Sequence, residues 1–363
     1  MDFSAINKKV DMLNVYDDRI RLYDNPVLFN LFLEVTSRCN ARCEHCGSSC
    51  GDFIPKDEIE LKYLKKTLRE IADKYDASSI LLNVTGGEPL VRKDLFELMD
   101  YAVSLGFRWG ITSNGILIDE KMAKKIEDSK MDTISISIDG LKETHEKFRK
   151  VPNSYDKILK GIKLLQNIDY INDIQVTTVA NKKNFNELED LYNMMLEIGI
   201  KDWRVVNCDP IGRAKNNDDI LLDKDQMREL YRFIREKNDE GKIKVTYGCS
   251  HYLGDKLEHV IRPFYFFCTT GITTASILSN GDIFVCPNVE RRKELIQGNI
   301  KKDSFVDVWE NKFKEFRHNR VNINGKCRKC SEYKFCCGDS FHTWNFDDNK
   351  PNFCYIDIME EEE

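Results

Sequence analysis

Residues 29–46 read FNLFLEVTSRCNARCEHC, a short apolar run that breaks into a polar loop carrying Cys39, Cys43 and Cys46. The run at 29–35 has the length and composition of a buried strand, so the three thiols are expected where a strand ends and a loop begins. Similar runs recur along the chain at 80–84, 109–112, 133–138, 174–179 and 203–206. Helical periodicity fills the gaps at about 59–75, 94–105, 119–128, 155–167 and 186–198, and returns at 223–239. Strict alternation of strand and helix implies an α/β fold built on a parallel sheet. The strand-to-helix junctions hold the polar clusters SRCNARCEHC, GGEP, SNG and SIDG. In an α/β barrel such junctions share the face on which active sites are built.

Composition narrows the class. With 19 Gly and 8 Pro in 363 residues, collagen-like and low-complexity chains are excluded, and the length suits two domains or one large domain with an extension. A net charge of −6 gives no general attraction to nucleic acid or anionic lipid. The first thirty residues lack the apolar core of a signal peptide, and no run of 18 apolar residues follows, so a cytoplasmic protein without a membrane or nucleic-acid partner is expected. Thirteen cysteines are too few for a small disulfide scaffold and odd in number. In a reducing compartment they point to metal or redox chemistry.

Cys39, Cys43 and Cys46 are spaced C-x3-C-x2-C. Three thiolates on one loop can hold three irons of a cubane and leave the fourth iron open to another ligand. Zinc is the competing occupant, with Cys50, His45 or a water as its fourth ligand.

Two further motifs follow in order: Thr85-Gly86-Gly87-Glu88-Pro89 after the second strand and Ser135-Ile136-Ser137-Ile138-Asp139-Gly140 on the fourth. Together with the triad, over about residues 28–215, they resemble the radical S-adenosylmethionine (SAM) superfamily. The resemblance implies a partial (β/α)6 TIM-like barrel at 28–240 behind an N-terminal extension at 1–27. It also implies a [4Fe-4S] cluster on the triad, SAM on its open iron, and a flavodoxin- or ferredoxin-type electron donor. The chemistry implied is reductive cleavage of SAM to a 5'-deoxyadenosyl radical. One departure is His45, where the family usually has a carbocyclic aromatic ring. Within this resemblance, Gly86 and Gly87 let backbone approach a ligand closely, and Glu88 offers a carboxylate to the SAM ammonium. Ser137 and Asp139 are expected to accept ribose hydroxyls, Asn114 of SNG to add a polar contact, and Arg149 to pair with the methionyl carboxylate. Read singly, GGEP is an ordinary turn and the arginine a solvated side chain.

From about residue 245 the periodicity fades, and an irregular domain at 241–363, organised by something other than a large apolar core, is expected. Cys268, Gly281 and Cys286 stand as C-x12-G-x4-C, and Cys327, Cys330 and Cys336 as C-x2-C-x5-C, followed by Cys354. This resembles the SPASM extension of radical SAM enzymes, whose seven cysteines bind two auxiliary iron-sulfur clusters. Six positions match, and Ser340 stands at the seventh. The resemblance implies one complete set in Cys327, Cys330, Cys336 and Cys354. Cys268 and Cys286 then need partners, for which Cys249 and Cys337 remain, adjacent Cys336 and Cys337 pointing apart if the chain is extended there. The first auxiliary cluster is expected to be less regular, either [2Fe-2S] or open at one iron. Zinc ribbons are the alternative for C-x2-C.

Cys208, in WRVVNCDPIGR after the sixth strand, is a candidate hydrogen-atom donor or an ordinary buried thiol. His145 and His342 are candidate bases or structural side chains. Strings such as YGCSHYLG and CGDSFHTWNF resemble more loosely the SPASM enzymes encoded beside small peptides. The expected function is therefore oxidation, crosslinking or epimerisation of a peptide or protein, with a substrate encoded nearby. About 28 residues precede the first strand, too few for a separate peptide-recognition module. A small-molecule dehydrogenase and an electron carrier without turnover are the alternatives, and the GGEP and SIDG motifs are features a carrier would not need.

Overall fold

A computed structural model describes residues 3–51, 58–248, 251–254, 257–258, 260–318 and 325–360. Seven parallel strands follow one another in chain order: β1 (Asn30–Thr36), β2 (Leu81–Gly86), β3 (Arg108–Ser113), β4 (Thr133–Ser137), β5 (Asp173–Ala180), β6 (Asp202–Asn207) and β7 (Lys244–Tyr247). Beyond β1 the same sheet continues through β8 (Thr274–Ile277), parallel to β1, then antiparallel β9 (Asp282–Phe284) and β10 (Gly298–Asn299). This is the partial barrel expected, with the helices on its outer face. After α1 (Phe3–Asp24) these are α2 (Leu61–Lys74), α3 (Leu95–Ser104), α4 (Glu120–Asp128), α5 (Lys142–Arg149), α6 (Tyr155–Leu165), α7 (Leu188–Glu197) and α8 (Lys224–Glu240).

Two features differ from the sequence expectation. The region after 245 is not held apart from the apolar core. Ile277, Phe284, Trp309 and Phe313 are buried in one continuous cluster with Leu31, Leu82 and Trp203. Apolar area is what stabilises that region, at about 25 cal/mol per Å². The periodicity was hidden because β7 through β10 are only two to four residues long. Helix α5, KETHEKFR, was also missed: its inward residues are His145, Phe148 and Arg149, so no apolar stripe marks it.

Between Glu34 and Thr36 the β1–β2 register shifts, bending the chain where the three-cysteine loop begins. Glu34, itself buried, receives the Arg291 guanidinium and the Ser279 N–H, which fixes β1 to the last third of the chain.

Candidate functional site

The loop after β1 is held from two sides. Arg213 donates Nε to the Cys43 carbonyl at 2.8 Å and Nη1 to the Cys50 carbonyl at 3.0 Å, and its backbone N–H reaches the Cys46 carbonyl at 3.0 Å. Gly212 is left-handed, and a Cβ there would strike the Cys46 and Gly47 carbonyl oxygens, so only glycine lets this turn close on the loop. From the other side, the Phe148 and Arg149 carbonyls at the end of α5 accept the Glu44 and Arg42 N–H groups at 3.1 and 3.2 Å.

The thiols suit a cluster. Cys43 is buried, Cys39 and Cys46 are half-buried, and all three are free. Backbone N–H groups of Ala41 and Cys50 point at the Cys39 and Cys46 sulfurs, each at 3.4 Å. Burial pushes the Cys39 thiol up to about 11, whereas hydrogen bonding by Cys50 draws Cys46 down to about 6. A single zinc ion asks its ligands to converge on one point. A cluster asks for the opposite, one thiolate on each of three irons.

The GGEP residues sit against this loop. A Cβ on Gly86 or Gly87 would strike the Thr36 or Arg38 carbonyl, so these glycines let the end of β2 pack on the cysteine loop. Gly86 also reaches the cavity wall. Glu88 does not present its carboxylate there: it is fully buried and accepts from Leu90 N, Ser113 Oγ and Asn114 N at 3.1, 2.9 and 2.8 Å. Burial pushes its carboxyl above the usual range. Asn114 reaches Asn40 on the cysteine loop at 2.7 Å.

Asp139 and Arg149 were expected to contact different parts of SAM, but they engage each other. Arg149 Nη2 lies 2.6 Å and Nε 2.8 Å from Asp139 Oδ2, while Oδ1 accepts the Val179 N–H at 2.8 Å. The Asp139 N–H donates to His145 Nδ1 at 3.1 Å, so His145 is sealed under α5 rather than placed as a base in the cavity. His45 stacks on Phe148 with centroids 4.8 Å apart and planes 6° from parallel, keeping the flat ring that the family usually supplies as a carbocycle. Ser137 closes β4 half-buried, in register with Thr177.

The barrel interior holds a cavity of about 480 Å³ that runs from Thr133 and Asp173, at the starts of β4 and β5, to the loops beyond the strands' carboxyl ends. Its wall includes His45, Gly86, Asn83, Ser135, Thr177, Arg204, Cys208, Asp209 and His342. The guanidinium that faces it is Arg204, not Arg149. Arg204 reaches Thr177 Oγ1 at 3.1 Å and Ser135 Oγ at 3.4 Å. The signal for it was present: on β6 Arg204 alternates with buried Trp203 and Val205, which places it on the opposite face. Cys208 is 6% exposed on the cavity wall, and burial keeps its thiol protonated.

Asp209 anchors a network that the sequence did not suggest. His251 is wholly buried, with Nε2 3.0 Å from Asp209 and Nδ1 2.9 Å from Asp339. Tyr355 stacks on its ring at 3.8 Å and donates its hydroxyl to Asp209 at 3.0 Å. Burial alone would lower the imidazole, but the two carboxylates win and push it up to about 9. Asp339 in turn donates its N–H to Cys336 Sγ at 3.1 Å.

In the last third, burial and then charge on Cys354 and Cys330 raise the Cys327 thiol, and burial raises Cys336, to which charge on Cys354 also contributes, so Cys354 stands within electrostatic reach of both Cys327 and Cys336. Cys337 diverges from Cys336 by a left-handed turn at φ 52°, not by extended chain. Cys268 packs near Cys336 and Cys354, and Cys286 is buried beside His342. Ser340 is buried, its hydroxyl accepting the His342 N–H. Cys249 lies outside the described residues.

A parallel half-barrel with a three-thiol loop after its first strand is the architecture of a radical SAM protein, and comparison with known proteins agrees. Residues 33–195 match the radical SAM superfamily and residues 268–331 the SPASM iron-sulfur cluster-binding domain. The chain is 29% identical to the AdoMet-dependent heme synthase of Methanosarcina barkeri, covering 84% of this chain and 89% of that protein. It is 28% identical to the mycofactocin maturase MftC of Mycolicibacterium smegmatis, covering 87% and 78%. Its fold matches anSMEcpe with bound AdoMet at TM-score 0.72 and 20% identity over 91% and 94% of the two chains. It matches Streptococcus suis SuiB bound to S-adenosylmethionine at 0.68 and 19% over 93% and 75%. The chain belongs to the radical SAM superfamily and carries a SPASM domain; its cofactors are SAM and iron-sulfur clusters. Among the described residues no helix is long and apolar enough to cross a membrane.

Proposed function

We propose that this chain is a peptide or protein maturase that oxidises, crosslinks or epimerises its substrate, with Cys39, Cys43 and Cys46 holding the cluster that binds SAM. The observation that carries this reading is the charge of the cavity wall. Among the described lining residues Arg204 is the one guanidinium or ammonium, against the acids Glu34, Asp173 and Asp209, and the remaining polar groups are neutral, including Asn83, Thr85, Ser135, Gln175 and Thr177. One guanidinium matches the single carboxylate of SAM. Neutral donors and acceptors suit a peptide's amides, whereas a heme-forming site has to hold a macrocycle with carboxylate arms. The similarity to mycofactocin maturase at 28% identity supports the same reading.

When bound, the cluster and SAM supply a carbon-centred radical able to remove an unactivated hydrogen atom. The chain's own groups do the rest. Arg204 orients a carboxylate. Asp209 is kept ionised by cationic His251 and by the Tyr355 hydroxyl, despite its burial. As the ionised carboxylate on the cavity wall, Asp209 would take the proton released when the substrate radical gives its second electron to an auxiliary cluster. Cys208, as a protonated thiol on the wall, returns a hydrogen atom if the outcome is epimerisation. A flavodoxin- or ferredoxin-type donor supplies the electron.

Co-expression with short peptides encoded nearby, followed by mass spectrometry, tests the reading. A loss of 2 Da, a crosslink, or a deuterium incorporated from solvent supports it. An unmodified peptide together with turnover of an iron porphyrin precursor or a small alcohol transfers the function to a small-molecule substrate.

A further inference from the structure

His342 Nε2 lies 3.6 Å from the Cys286 sulfur. Two donors on one tetrahedral metal, with bonds of about 2.3 Å to sulfur and about 2.0 Å to imidazole nitrogen, stand about 3.6 Å apart. Donors on different irons of a cluster stand well beyond that. The local chain explains how the histidine arrives. Ser340, where the SPASM pattern has its missing cysteine, spends its hydroxyl on the His342 N–H at 3.3 Å, capping the turn Phe341–Thr343. The turn carries the imidazole, two residues further on, to Cys286.

We propose that His342 replaces the missing cysteine, and that Cys286 and His342 bind the same iron of the first auxiliary cluster, making it a [2Fe-2S] centre with mixed thiolate and imidazole ligation. Protein-ligated irons of a cubane ordinarily carry three sulfides and one protein donor, an arrangement that a pair of protein donors at this separation does not match. An iron of a [2Fe-2S] centre carries two sulfides and two protein donors, and imidazole ligation of such a centre is established chemistry. Cys268 and Cys337, which line one pocket, are then the two donors left for the second iron. His342 also lines the cavity. The inference rests on the superfamily assignment and is independent of whether the substrate is a peptide.

The test is pulsed EPR on the full chain, reconstituted anaerobically and reduced without SAM, with and without ¹⁵N in histidine only. A directly bound imidazole gives a strong ¹⁴N coupling that changes to ¹⁵N on labelling and disappears in His342→Ala. His342→Cys is expected to keep the iron, lose the nitrogen coupling and lower the potential of that centre, because a thiolate adds negative charge. If His342→Ala does not fold, His342→Cys decides alone. A reduced auxiliary signal without nitrogen coupling, or a coupling that persists in His342→Cys, overturns the proposal.

Discussion

Arg149 and Asp139, ten residues apart, form a salt bridge of 2.6 Å beneath the cysteine loop, with side chains 7% and 0% exposed. The pair joins the end of β4 to the end of α5, and the carbonyls of that helix end hold the loop. Arg149→Ala leaves a buried carboxylate without its partner and is expected to cost about 3–5 kcal/mol. Urea unfolding of the chain measures it, and Arg149→Lys is expected to recover only part, having lost the fork.

The same pair sets an acid limit. Burial would raise the Asp139 carboxyl, but Arg149, with His45 and His145, holds it below its ordinary 3.8. A depressed carboxyl contributes stability that is complete above the unfolded value and is lost as pH falls through the folded one. Unfolding midpoints of wild type and Asp139→Asn, compared from pH 6 to pH 2, should converge at the acid end. Parallel curves would remove Asp139 from the acid transition.

Glu88→Gln places an amide NH₂ against one of the N–H or O–H donors that the carboxylate now accepts. We expect a loss of about 1–3 kcal/mol in stability, since one buried donor is left unsatisfied. SAM affinity, measured by equilibrium dialysis on the reconstituted protein, is expected to fall only through that loosening of the loop.

Gly212→Ala puts a methyl into the Cys46 and Gly47 carbonyls at a left-handed position. The first cluster should be lost while the rest of the chain holds its metal. Iron per chain then falls from about 10 to about 6, and 5'-deoxyadenosine production with dithionite stops. Wild-type content of about four irons would instead remove the auxiliary clusters.

Cys208→Ala separates two outcomes of hydrogen abstraction. For epimerisation, product in deuterated water loses its new label and turnover falls by at least tenfold. Unchanged turnover would leave Cys208 as the small buried side chain that its contacts with Phe148, Ala214 and Ile220 also describe.

What was legible in the sequence followed from period and spacing. The six strands at the core of the sheet were placed within a residue or two because their apolar runs are bounded by polar junctions, and the cysteine positions needed no geometry to be noticed. Side-chain destinations were another matter. Arg149 and Glu88, read from their chemistry as SAM contacts, are hydrogen-bonded to neighbouring groups of the chain, because a buried charge is satisfied by whatever the fold brings within reach. Arg204 could have been found by following the alternation of β6 one step further. His251 carried no signal, since its partners Asp209 and Asp339 lie 42 and 88 residues away.

The pairing of β1 with β8 also has a bearing on how the chain is made. Leu31 lies opposite Ala275, and Leu33 opposite Ile277, so one flank of the strand that carries the cysteine loop waits for residues more than two hundred positions later. Until the ribosome has delivered them, β1 is covered by β2 alone and offers a row of unpaired amides to any passing strand. Newly made chains are therefore expected to be most prone to aggregation, and most dependent on chaperones, between the completion of the parallel barrel and the arrival of β8.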